Sequence, residues 1–162
     1  MTVGRGHDPA DAVMVMDMKL HFENIVIESG WIIGGNLWFS FGERCFPEEN
    51  WYEHVSKVLE MWLPQFLSFS YGNCDQCKLL FLDGPGEILL KRYFNGSITA
   101  TCIWNNKVQV PEAEMELHDL WGSLLAGLRY YHRQMHLHKL DFPFDKQLIQ
   151  LTHLYKQENT YV

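Results

Sequence analysis

The sequence predicts an α+β fold: one antiparallel sheet of about five to six strands, in the order β-β-α-β-β-β-α-α, with two main helices packed on it. Three observations carry this. Met16, Met18, Leu20 and Phe22 alternate with Asp17, Lys19, His21 and Glu23, the period of a half-buried strand. Trp51, Val55, Val58, Leu59, Trp62 and Phe66 recur at helical spacing. Asn95-Gly96 separates two apolar segments, and both residue types tolerate the positive φ of a tight hairpin.

Taken in order, residues 1–12 read as a flexible tail and residues 13–162 as a single α+β domain. The first strand continues through Ile25 to Ile27 past a bulge at Asn24, and Glu28-Ser29-Gly30 forms a turn. A second strand spans Trp31 to Phe41 with Leu37, Phe39 and Phe41 on one face. Gly34-Gly35 interrupts it, which implies a bulge or a close backbone contact in a twisted sheet, or the approach of a ligand. The first helix is expected over Phe46 to Phe69, with Pro47 in its first turn and a stop or kink before Pro64. Glu53 and Lys57 then form an exposed pair four residues apart. Trp51 and Trp62 lie on the apolar stripe and should be mostly buried.

Strands follow over Lys78–Leu82, Glu87–Phe94 and Ser97–Trp104, with a turn at Asp83-Gly84-Pro85-Gly86. A two-residue Asn-Gly loop places Tyr93 opposite Ile98 and Leu89 opposite Cys102, so Leu89 and Tyr93 should join the core face. Lys107 to Val110 is a short edge strand closed by Pro111. The second helix begins at Glu112 or Glu114 and ends near His136. Leu117, Trp121, Leu124, Leu128, Tyr131 and Met135 form its buried stripe, and Gly122 and Gly127 permit close packing. Asp145 starts a last helix through Tyr155.

The formal net charge of -7 argues against nucleic acid and fits a basic protein partner. No apolar run reaches a membrane span, and no apolar signal core follows Arg5, so a cytoplasmic location is expected. Cys74 and Cys77 lack the second pair that zinc requires, and they precede a strand rather than a helix N-terminus, the usual redox setting. His132 and His136 stand four apart with Arg133 between them and no Glu in the protease position. No metal and no cofactor are therefore expected. Asp83 reads as a turn residue.

Gly42-Glu43-Arg44-Cys45-Phe46-Pro47-Glu48-Glu49-Asn50-Trp51 and Phe81-Leu82-Asp83-Gly84-Pro85 resemble segments of small bacterial proteins, some of them similar to immunity proteins of polymorphic toxin systems. The resemblance spans Trp31 to Trp104. It implies an inhibitor that binds and blocks a cognate toxin and is not an enzyme. Its motifs carry over no toxin-binding residue. The residues themselves suggest Glu112, Glu114, Glu116 and Asp119 as partner contacts, because they cluster at one expected helix end. Two alternatives stay open: a small-molecule-binding or enzymatic domain using the sheet near Gly34-Gly35 and Trp38, and an assembly subunit pairing through the Lys107–Val110 edge.

Overall fold

A computed structural model describes residues 15–28 and 32–160; the expected tail and the turn at Ser29-Gly30 lie outside them. The chain is α+β, with antiparallel strands and helices packed on them. Among the described residues the strands number eight and divide into two sheets of four rather than forming one.

The first sheet holds β1 (Met18–Glu28), β2 (Ile32–Phe41), β3 (Arg44–Phe46) and β4 (Tyr52–Glu53), the last two both pairing with β2. Met18, Leu20, Phe22, Leu37, Phe39 and Phe41 face the core, as their alternation requires. The register slips between Glu23 and Val26, where Asn24 takes a φ of 53°, so the expected bulge is present. The second sheet runs in the order β5 (Gln76–Leu80), β6 (Gly86–Arg92), β7 (Ile98–Trp104) and β8 (Lys107–Glu114).

Helix α1 (Val55–Ser70) packs on both β2 and β5, and so joins the two sheets. It starts later than expected. Trp51 N–H bonds the Glu48 carbonyl across a turn in which Asn50 has a φ of 62°, a conformation that no helix continues through. The chain then pairs with β2 before Val55. Nor does Pro64 end the helix. Its lost hydrogen bond and clash cost about 3 kcal/mol. Beyond it Phe66, Leu67 and Phe69 are buried, each contributing about 1.5–3 kcal/mol. Burial therefore wins. The far end is capped by Arg92, whose guanidinium donates to the Phe69 carbonyl at 2.8 Å and lies over the Phe69 ring.

The β6–β7 register differs by one residue from the expectation. Gly96 N–H bonds the Tyr93 carbonyl and Tyr93 N–H bonds the Ser97 carbonyl, with positive φ at Gly96 alone. This is a three-residue loop, Phe94-Asn95-Gly96, not a two-residue one. Ile98 consequently pairs with Arg92 and Cys102 with Ile88. Ile88 and Leu90, not Leu89 and Tyr93, face the core.

The expected break at Pro111 is also corrected. Pro111 sits on an edge strand, where its missing donor costs the ladder nothing, and β8 runs on to Glu114. Helix α2 (Leu117–Leu137) begins only after it, packs on β1 and meets α3 (Asp145–Thr160). A Cβ on Gly127 would lie 3.2 Å from Phe22, and one on Gly122 would lie 3.0 Å from Tyr155. The two glycines thus set the helix–sheet and helix–helix distances. Helix side chains also occupy strand edges. Ser123 and Tyr130 accept from the Leu20 and Ile25 N–H groups of β1, while Trp62 donates to the Leu80 carbonyl of β5 at 2.7 Å. Among the described residues, no helix is long and apolar enough to cross a membrane.

Candidate functional site

The two sequence segments that carry the resemblance meet in space, and Glu53 joins them. Sequence periodicity places this residue on an exposed helix face beside Lys57; the structure buries it completely in β4. Lys57 pairs instead with Glu60, at the surface, 3.6 Å away. The Glu53 carboxylate accepts the Trp51 indole N–H at 3.1 Å, the Leu82 N–H at 3.1 Å and the Asp83 N–H at 3.1 Å. It also accepts the His54 N–H at 3.3 Å. Burial pushes the carboxyl above the ordinary carboxylate range. The Trp51, Asp83 and His54 donors pull it back down, and the Asp83 charge adds to the rise.

Against this clamp rests Trp104, at the end of β7. A Cβ on Gly84 would lie 2.5 Å from its six-membered ring, and one on Gly86 would lie 3.0 Å from it. The glycines of the Asp83-Gly84-Pro85-Gly86 turn are thus needed as much for this indole as for the turn. Trp104 meets Trp51 edge to face, with centroids 5.5 Å apart. Phe46 and Phe81 pack edge to face beneath them. Both tryptophans of the first stripe are mostly buried as expected, Trp62 fully and Trp51 less deeply.

Trp51 and Trp104 line an open cleft of about 540 Å³ between β3 and β8. Phe46, Pro47 and Val110 supply further apolar wall, and Arg44, Glu48 and Gln109 supply its polar groups. Arg44 reaches across it to the Gln109 carbonyl at 3.4 Å.

The four acidic residues singled out from sequence do not share a helix end. Glu112 lies in β8, where Tyr93 O–H and Thr99 O–H donate to its carboxylate, the latter at 2.9 Å. Both bonds hold Glu112 below the usual carboxylate range, and the bond to Glu112 pushes the Tyr93 phenol up. Glu114 ends the same strand. Only Glu116, the N-cap residue, and Asp119, in the first turn, belong to α2. Glu114 and Glu116 line one shallow cleft and Asp119 the next, with His118 common to both. Three of the four therefore gather round the α2 N-terminus, and Glu112 stands apart.

At Gly34, a Cβ would lie 2.0 Å from the Tyr52 hydroxyl. The chain's own Tyr52 side chain fills this space, and the expected backbone contact falls at Gly35, where a Cβ would lie 3.2 Å from the Glu23 carbonyl. Trp38 is buried and stacks on His21 with centroids 4.8 Å apart. The four thiols are free, and burial raises Cys77 to about 12 and raises Cys102 as well. His132 meets Phe142 edge to face, and His136 lies exposed in the last turn of α2. Among the described residues, no three His, Cys, Asp or Glu side chains come together as a metal site.

Sequence reasoning missed Glu53, Trp104 and the two turn glycines as a unit. One signal was available: Asn50, a residue type that tolerates positive φ, stands inside the supposed helix and separates Trp51 and Glu53 from Pro47. Comparison with protein-family models, curated proteins and solved structures gives no match.

Proposed function

We propose that the chain is a cytoplasmic binding protein of the immunity type, which neutralises a basic protein, a toxin domain, by direct contact and does no chemistry. The observation that carries this reading is the uncompensated acid on its surface. The net charge is -7, and Glu48, Glu49, Glu116 and Asp119 are exposed with no ion pair among the described residues. Unpaired surface carboxylates repel one another and add little stability, but they steer a cationic partner. Glu53 contrasts with them. Its carboxylate already accepts four N–H groups, so it fixes the fold and has little capacity left to move protons.

The test is co-expression with the product of the neighbouring coding sequence. Protection of the cells, with a complex on a sizing column, is the expected outcome. No protection and no complex would remove the inhibitor reading.

A further inference from the structure

We propose that the cleft between β3 and β8 is the anchor pocket for an arginine or lysine side chain carried by a basic protein segment, seated against Trp51 and Trp104. This rests on the binding reading above and names its contact. Four features support it. Indole rings attract cations through their quadrupole, Trp most strongly among the aromatic side chains. Both rings are fixed before any partner arrives: Trp51 by its bond to Glu53, Trp104 by Gly84 and Gly86. Little side-chain freedom is then lost on binding. The charge is also complementary. Glu48 lines the cleft, and the exposed Glu43 and Glu49 are sequence neighbours of lining residues. Against these three carboxylates stand two cations: Arg44, which donates to the Gln109 carbonyl, and Lys107, the cross-strand partner of Trp104. Partly buried tryptophans in a concave, preformed setting are also the usual centre of a binding hot spot.

The experiment follows the indole N–H signals by NMR while adding the blocked tripeptide acetyl-Gly-Arg-Gly-amide. The same peptide with neutral citrulline in place of arginine is the control, and choline is a third probe. The arginine peptide should shift the Trp51 and Trp104 signals saturably and bind at least about threefold more tightly than the citrulline peptide. Glu48→Gln should weaken it by about two- to threefold. Trp104→Leu should abolish the Trp51 shift, and Trp104→Phe, which keeps a ring and the fold, should retain part of it. Equal binding of the citrulline peptide, or no shift at either indole, overturns the proposal. Choline binding more tightly than the peptide also overturns it, because the occupant would then be a free organic cation. The two readings separate cleanly. A neighbouring-gene protein that binds wild type and Trp104→Leu equally refutes the pocket and leaves the inhibitor reading intact. Selective arginine-peptide binding without any protein complex does the reverse.

Discussion

Replacing Glu53 tests the clamp most sharply. In Glu53→Ala, the Trp51 indole and the Leu82 and Asp83 amides lose their acceptor. Each buried donor left unpaired costs about 1–3 kcal/mol. Leu82 and Asp83 are exposed residues, so water can recover part of their share. The net loss should be about 2–4 kcal/mol, a large part of the ~5–15 kcal/mol available to a domain. Glu53→Gln keeps one acceptor oxygen but turns its NH₂ toward donors, and should lose about half as much. Urea unfolding is the assay: the midpoint should fall with the slope unchanged. A loss in Glu53→Ala within ~0.5 kcal/mol would match an ordinary surface change and refute the clamp. The pH dependence is a second check. In the folded chain the Glu53 pKa is raised, so below about 4.3 the carboxyl is protonated in both states. Between that value and the raised one, only the folded state keeps the proton. Wild-type stability relative to Glu53→Gln should therefore decline as pH rises through that window and then level off. The opposite slope would mean that the bonds to the charged form outweigh desolvation.

Other perturbations separate rigid contacts from soft ones. Gly84→Ala should cost about 1–3 kcal/mol and change the near-UV tryptophan spectrum, because the Trp104 ring must shift. Gly34→Ala should cost less, because the atom it meets is the far end of the exposed Tyr52 side chain; equal losses would contradict this. Trp62→Ala should cost about 3–5 kcal/mol in unfolding, since the ring is buried and caps the β5 edge. In native protein at neutral pH, a thiol reagent should label Cys45 and Cys74 quickly and reach Cys77 and Cys102 only on unfolding, because burial disfavours their thiolates. Rapid labelling of all four would contradict the packing.

Much of the fold could be read from the chain because burial imposes periodicity. Met18, Leu20 and Phe22 had to share a face, and so did Val58, Leu59, Trp62 and Phe66. What escaped was set by single backbone conformations. Asn95-Gly96 does mark a hairpin, but the pair fits a two- or a three-residue loop, and that difference turns Leu89 and Tyr93 away from the core. The positive φ at Asn50 delayed α1 to Val55 and carried Glu53 from the surface into the interior. Burial overrode local rules at Pro64, and an edge position did so at Pro111. The acidic patch depended on where α2 begins, so extending β8 to Glu114 divided it. The Trp51–Trp104 pair joins residues 53 positions apart, and no local pattern records such a contact.

We propose that this chain acts by binding a basic protein. Its most direct test is the association of the purified chain with the purified product of the neighbouring coding sequence, followed over a range of salt. An equimolar complex is expected, with an on-rate that falls as salt rises, since screening shortens to ~8 Å at physiological ionic strength. Reversing the charges of Glu116 and Asp119 should lower that on-rate more than it raises the off-rate. No complex at any salt, or an on-rate indifferent to both salt and charge reversal, would rule out a steered basic partner.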